Sequence, residues 1–521
     1  MGTVLRQLSY PLDLVTLDPI SPKALHRQLC DQLRELILGG AVPAESRLPS
    51  IRAFAGELGI SRNTVITALD QLAAEGLLES RRGSGIHVAR ISVANPGRPA
   101  GARDGGSMPP LSARGQLMTS QPRVRTFPGR TAFHPGTPEL ALFPFKTWSR
   151  LLTRRARFGG QDLFGYHYIS GHPDLRAMIA SFLTTMRRVR CAPDQIVVTT
   201  GGQAALDLLS RLFLSEGDTV WMEEPGYVGA RSAFLGAGAK LWPLRVNQNG
   251  WQVPQSDYPP PRLIYLTPSC QHPLGITMPL EQRLAVLEVA RAVDAWVIED
   301  DFDGEYTFRG QPLPAMQGLT DQSRVIYVGT FAKTLFPAMR LGFIVLPGDL
   351  ADRIKPAINL TGQYAPLVLQ AALADFIEQG FFFLHLNRMR RLYGRRRLHF
   401  LKLFAEYLGD WLDPIDGRTG IQIASLFKTG IDDRAVVDGA AAAGVNLAPM
   451  SLYYLHKPAV RGLVMGYAGV AEAEMNRLFP RIRQIIEEAS ASVGRTPADV
   501  GEASMVERTR TDARSPVDAD L

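Results

Sequence analysis

Arg324-Val325-Ile326-Tyr327-Val328-Gly329-Thr330-Phe331-Ala332-Lys333 carries an apolar, β-branched strand into a short loop that ends on a lysine, the pattern of a buried strand followed by a turn. Comparable runs, Gln195-Ile196-Val197-Val198-Thr199, Leu263-Ile264-Tyr265-Leu266 and Ala295-Trp296-Val297-Ile298, alternate with helical segments from about Thr131 to Ser490. That alternation predicts an α/β body with a mostly parallel central sheet. Ligands of such sheets gather outside the carboxyl ends of the strands, where Lys333 falls.

Other stretches reach the same edge. Asp300 and Asp301 come directly after Trp296-Val297-Ile298, so one or the other carboxylate lies beneath the pocket. Gly201-Gly202-Gln203-Ala204 separates the strand Ile196–Thr200 from a helix over Leu206–Phe213, leaving backbone N–H groups at a helix start that suits a phosphate. Arg340, seven positions beyond Lys333, can add a bidentate phosphate contact, and Tyr227 in Glu224-Pro225-Gly226-Tyr227 can stack on a ring,. A covalent aldehyde cofactor needs a lysine able to lose its proton, a carboxylate that keeps a pyridine nitrogen protonated and a cradle for a phosphate. Singly, each piece also fits an ordinary turn or a solvated lysine; their order and spacing carry the reading.

The first 90 residues follow another plan. Leu25, Leu29, Leu33, Leu36 and Ile37 recur at helical spacing before Gly39-Gly40,. Ser50 caps a second helix with Ile51, Phe54, Ala55 and Leu58 on its buried face, and Ser61 caps a third that runs to Gly76,. Leu77–Ser80, Arg81-Arg82-Gly83-Ser84-Gly85 and Ile86–Val88 then read as strand, turn, strand, which makes a winged helix-turn-helix,. Ser61, Arg62, Asn63 and Thr64 open the third helix, where Arg can pair with guanine and Asn with adenine in a major groove,. Arg47 and Arg52 flank the second helix, and Arg81 with Gly83 forms a wing tip suited to phosphate or minor-groove contact,. Basic and acidic residues nearly balance in this segment, so counting reveals no basic face.

With 521 residues, 45% hydrophobic and 21% charged, the chain can build several domains,. No apolar run approaches the roughly 20 residues of a membrane span, and Met1–Tyr10 lacks a secretory layout, which predicts a cytoplasmic protein with no membrane role,. Cys30, Cys191 and Cys270 have neither disulfide nor metal-ligand spacing, so no metal is expected,. A net charge of +7 permits nucleic-acid binding without arguing for it,. The expected division is a head over 1–90, a flexible basic linker over 91–130, a body over 131–493 and a disordered tail over 494–521. Six arginines (98, 103, 114, 123, 125 and 130) against Asp104 make the linker either a solvated spacer or a tether along DNA,. The arginine-rich stretch Asn387–Arg397 reads as the solvated face of an amphipathic helix or as a second basic surface,.

Leu48-Pro49-Ser50-Ile51-Arg52, Leu58-Gly59-Ile60-Ser61-Arg62-Asn63-Thr64-Val65 and Ala74-Glu75-Gly76-Leu77 resemble the GntR family of winged-helix repressors, whose DNA-contacting positions fall on Arg52, Ser61, Arg62, Asn63, Thr64 and Gly83. From about 131 to 488 the chain resembles the fold type I aminotransferases. That resemblance implies pyridoxal 5'-phosphate, with Lys333 as the Schiff-base lysine, Asp300 on the pyridine nitrogen, Gly202, Gln203, Thr330 and Arg340 around the phosphate, and Tyr227 over the ring. It also implies a homodimer in which Tyr166 reaches the partner's phosphate. The combined order resembles the MocR/GabR regulators, in which a head-to-tail dimer binds double-stranded operator DNA and senses a small amine, an amino acid or the cofactor itself. Thr267–Gly275 and Glu299–Asp303 look like that group's pocket loops, with departures: Phe302 stands where a tyrosine is common, Cys270 where histidine is common, and Val464 where aminotransferases place a carboxylate-binding arginine. The competing reading is a working aminotransferase with an accessory DNA-binding domain, which the retained lysine favours and Val464 and Phe302 weaken.

Overall fold

The structure, a computed structural model, describes residues 15–493 except 82, 91–108, 123–131, 255, 320–323, 349, 416, 457 and 459. The chain divides into two compact units, Met1–Pro110 and Leu111–Leu521. The expected tail and most of the expected linker lie outside the described residues.

In the first unit, helices Leu25–Leu38, Ile51–Glu57 and Arg62–Ala74 precede the wing strands β1 (Leu78–Arg81) and β2 (Gly85–Val88). Both sequence-assigned caps form: Ser50 Oγ accepts from Ala53 N at 3.2 Å and Ser61 Oγ from Thr64 N at 3.1 Å, satisfying donors that a helix start leaves open. Leu29, Leu33, Phe54, Val65, Leu69, Leu72 and Val88 close one apolar core, with Cys30 as a free thiol inside it. Arg34 ties the first helix to the end of the third through Glu75, 2.7 Å away.

In the second unit the strands are β3 (Ile196–Thr199), β4 (Thr219–Glu224), β5 (Lys240–Asn247), β6 (Gly250–Trp251), β7 (Leu263–Leu266), β8 (Trp296–Asp301), β9 (Val325–Thr330) and β10 (Gly342–Val345). They order β3-β10-β9-β8-β7-β4-β5-β6. The β9-β8-β7-β4-β5 stretch is parallel, whereas β10 runs antiparallel to both neighbours and β6 closes a hairpin on β5. Val325, Ile326, Tyr327 and Val328 are all buried, which is why β9 reads as a continuous apolar run rather than an alternating one. A second, antiparallel sheet holds β11 (Leu412–Pro414), β12 (Gln422–Phe427), β13 (Ala448–Pro449) and β14 (Gly462–Gly466) in the order β11-β12-β14-β13.

Three expectations change. The linker is not uniformly irregular: Ala113–Ser120 is a helix capped by Ser112, and Met118 Sδ lies 3.4 Å from the Cβ position of Gly236 in the body. The helix after Gly201 starts at Gly202, not Leu206, so its first free N–H groups lie at the glycine pair itself. The arginine-rich helix Phe381–Tyr407 is not all outer face, because Arg396 is buried against Glu139 at 2.8 Å and Arg397 donates to the Gly417 carbonyl at 2.6 Å, while Arg388, Arg391 and Arg395 are exposed. No single helix among the described residues is long and apolar enough to cross a membrane, and no cluster of three or more metal-ligating side chains occurs among them.

Candidate functional site

The carboxyl ends of β8 and β9, the Gly201-Gly202 turn after β3 and the Tyr227 turn after β4 open onto one cavity of about 280 Å³. Gly202, Gln203, Tyr227, Asp300, Thr330, Lys333 and Arg340 all line it, although they are spread over nearly 140 residues of sequence. The topology explains the convergence: parallel strands deliver their following loops to one edge, and antiparallel β10 begins at that same edge just after Arg340.

Lys333 Nζ donates to the Gly136 carbonyl at 2.8 Å. Gly136 has φ +68°, and a Cβ there would sit 2.7 Å from Nζ, so the glycine leaves the space the amine occupies,. Burial pulls the Lys333 ammonium below its ordinary pKa, against the charges of Asp303 and Asp300,. Asp300 accepts from Tyr265 Oη at 2.8 Å; burial, reinforced by Asp301, pushes its carboxyl up to about 7. A cationic ring nitrogen beside it would restore the charged form.

Arg340, in a left-handed conformation at φ 50°, carries its guanidinium over Gly201, its Cζ 3.5 Å from the Cβ position of that glycine. Gly201 itself has φ +91° and precedes the Gly202–Phe213 helix, so cation and helix start coincide,. Thr330 Oγ1 accepts from Ala332 N at 3.2 Å and shapes the loop that carries Lys333. Tyr227 Oη donates to Gln203 Oε1 at 3.2 Å, and Gln203 in turn donates to the Gly229 carbonyl at 2.9 Å. Lysine, carboxylate, ring platform and phosphate cradle are thus within one cavity, and these residues fit pyridoxal phosphate.

Asp301 does not join them. Successive residues of a strand face opposite ways, and Asp301 turns into a buried ion pair with Arg187 Nε at 2.6 Å and accepts from Tyr327 Oη at 2.5 Å. Tyr166 is also apart from the cavity, 84% exposed. Phe302 lines the cavity, but Val464 is wholly buried in β14 and packs with Ala424 and Ala448 instead of facing it. Cys270 is buried, not a lining residue, and its thiol is pushed well up by burial.

Residues not singled out from sequence also line the cavity, among them Pro135, Gly136, His272, Gln422 and Tyr453. The His272 ring meets Tyr227, Phe302 and Tyr453 edge-on at 5.4, 5.4 and 5.2 Å. Burial, helped by Lys333, pulls its pKa down to about 3, so it is a neutral imidazole. Its place in Gln271-His272-Pro273, inside a loop already read as part of the pocket, was the available signal; Gln422 and Tyr453 had none nearby.

In the head, Arg52, Ser61, Arg62 and Asn63 are exposed at the start of their helices, with Thr64 half-buried and its hydroxyl 2.8 Å from Ser61 Oγ. Arg47 pairs by its backbone with His87 and lays its side chain along Gly85. Arg81 is held along the wing by Glu79 and Glu45 rather than standing free, while Gly83 turns the wing at φ +76°.

Residues 25–88 match the bacterial regulatory proteins of the gntR family, and residues 144–482 match the aminotransferase class I and II family. The chain is 49% identical over 487 residues to the probable rhizopine catabolism regulatory protein MocR of Rhizobium meliloti, covering 93% of this chain and 98% of that one. It is 30% identical over 476 residues to the pyridoxine biosynthesis transcriptional regulator PdxR of Corynebacterium glutamicum, covering 91% and 98%. Among solved structures, kynurenine aminotransferase of Pyrococcus horikoshii superposes with a TM-score of 0.63 at 25% identity, covering 72% of this chain and 93% of that one.

Proposed function

The chain belongs to the MocR-type regulators, a gntR-family head joined to an aminotransferase class I and II body, and we propose that Lys333 holds pyridoxal 5'-phosphate there as the sensor for that head. The observation that carries this assignment is the meeting of Lys333, Asp300 and Arg340 in one cavity. When bound through Lys333, the cofactor would supply a carbon at which an incoming primary amine takes the place of the lysine amine, which leaves as the free amine.

The chain's own groups prepare for that event. Burial favours a neutral Lys333 amine, and the Gly136 carbonyl orients it. Asp300, fixed by Tyr265, holds a proton on the ring nitrogen. The helix start at Gly202, with Gln203, Thr330 and Arg340, holds the phosphate, and Tyr227 covers the ring. A small amine or amino acid, or the cofactor itself, is the signal; double-stranded operator DNA is the target of Arg47, Arg52, Ser61, Arg62, Asn63, Thr64, Arg81 and Gly83. A homodimer, head-to-tail, is the working assembly, supported by exposed Phe158, Phe164 and Tyr166 in one short segment, from which Tyr166 reaches the partner's phosphate. The domain limits are those of the expected division: head to residue 90, linker to 130 and body to 493.

The test is fluorescence anisotropy on DNA upstream of the protein's own gene, at fixed salt, with protein bearing and lacking the cofactor and a scrambled competitor. Specific binding that changes with the cofactor is expected; no sequence preference in either form would sink the proposal. Lys333→Ala should also lose the adduct that borohydride fixes to the wild type.

A further inference from the structure

We infer that the effector this pocket selects is a primary amine bearing hydroxyl groups and no carboxylate. The inference rests on the cofactor assignment above and concerns what the rest of the lining can recognise. Among the described lining residues the cations are Lys333 and Arg340. Lys333 is held at the Gly136 carbonyl, and Arg340 lies over Gly201 at the helix start, so both belong to the cofactor. Asp300, the one acidic side chain among the described lining residues, is a carboxyl that burial pushes up to about 7 and offers an incoming anion no attraction. Val464 adds no polar atom, being buried among apolar side chains of β14 and its neighbours. A carboxylate entering this space would be stripped of water without a cation of its own.

Neutral hydrogen-bonding groups are what remains. Tyr453 Oη is buried and has no hydrogen-bond partner, and burial pushes the hydroxyl above its ordinary pKa, keeping it a donor. Gln422, at the start of β12, is 7% exposed and brings an amide to the same lining. His272 is a neutral imidazole between Tyr227, Phe302 and Tyr453. A buried hydroxyl without a partner calls for one, and a ligand hydroxyl, donor and acceptor at once, matches a phenol, an amide and an imidazole without bringing charge.

The experiment uses full-length protein loaded with pyridoxal phosphate and follows cofactor absorbance during titration with matched pairs: L-alaninol against L-alanine and serinol against L-serine, with n-propylamine as reference. The alcohol of each pair should bind roughly tenfold or more tightly than the acid, and serinol several-fold more tightly than propylamine. Tyr453→Phe should erase serinol's advantage over propylamine and leave propylamine unchanged. Amino acids binding as well as or better than their alcohols would overturn the inference, including through a cation supplied by a second copy of the chain. So would an undiminished serinol advantage in Tyr453→Phe. A protein that shows no cofactor absorbance, or whose Lys333→Ala variant still gives a borohydride-fixed adduct, would break the cofactor assignment itself, an outcome read before any amine is added.

Discussion

Asp300 and Asp301 are neighbours on β8, equally buried within a few per cent, yet their surroundings differ. Asp301 Oδ2 is held by Arg187 and Tyr327, and this ion pair is part of what holds the sheet to the Pro173–Arg187 helix. Asp300 has a single phenol donor, Tyr265, and opens onto a cavity, so burial leaves its charge under-compensated and drives it up to about 7. One strand therefore carries a structural carboxylate on one face and a chemically poised one on the other. An under-compensated buried acid stays protonated unless something absent from the chain favours its charge, and a ring nitrogen that can take a proton would do so.

Breaking the ion-paired side should have the larger effect on folding. Arg187→Ala leaves Asp301 buried without its cation and is expected to cost about 3–5 kcal/mol of stability, read as a lowered midpoint in denaturant. If Arg187→Ala melts like the wild type, Asp301 is not structural. Asp300→Asn should leave the cofactor-free protein's stability near or above wild type while weakening pyridoxal phosphate binding roughly 10- to 100-fold, the worth of one charged hydrogen bond. Equal destabilisation by the two substitutions would erase the contrast.

The pH dependence sharpens it. Folding raises the Asp300 pKa from its ordinary value near 3.9 to about 7, so the folded state prefers the protonated acid. Its favourable contribution is complete at low pH and is lost as pH rises through about 7. Relative to cofactor-free wild type, Asp300→Asn should therefore gain stability between about pH 4 and 7 and hold a constant advantage above. Because Glu223 and Glu305 are also pushed up to about 7, the difference between the two proteins is the informative quantity. A flat difference would mean that Asp300 is already compensated without the cofactor.

Much of this was legible because it is local. The caps at Ser50 and Ser61, the glycine pair before a helix and the lysine after β9 each depend on a few adjacent residues. The choice between Asp300 and Asp301 was not legible: it turns on which face of β8 meets Arg187, 114 residues away. Gln422 and Tyr453 were invisible for a similar reason, since they arrive from the second sheet and its flanking turn, whose position over the pocket no nearby pattern records. The helix at Ala113–Ser120 hid within a stretch rich in Gly, Pro and Arg, where composition outweighed the Ser112 cap.

The same two-sided logic extends, with smaller energies, to the start of the Arg62–Ala74 helix. Ser61 Oγ faces inward along the chain and caps Thr64 N, so Ser61→Ala should cost the head about 1 kcal/mol,. Asn63 is exposed two positions before the buried Val65, Ala68, Leu69 and Leu72 face takes over, and its side chain has no structural duty for Asn63→Ala to remove. That variant should melt with the wild type but lose discrimination between operator and scrambled DNA by about 1–3 kcal/mol. Ser61→Ala should instead weaken both DNAs alike, through the fraying of the helix that presents Asn63. If the two substitutions exchange these signatures, base reading lies with Ser61, and the helix start needs no cap from the hydroxyl that Ser61 shares with Thr64 at 2.8 Å.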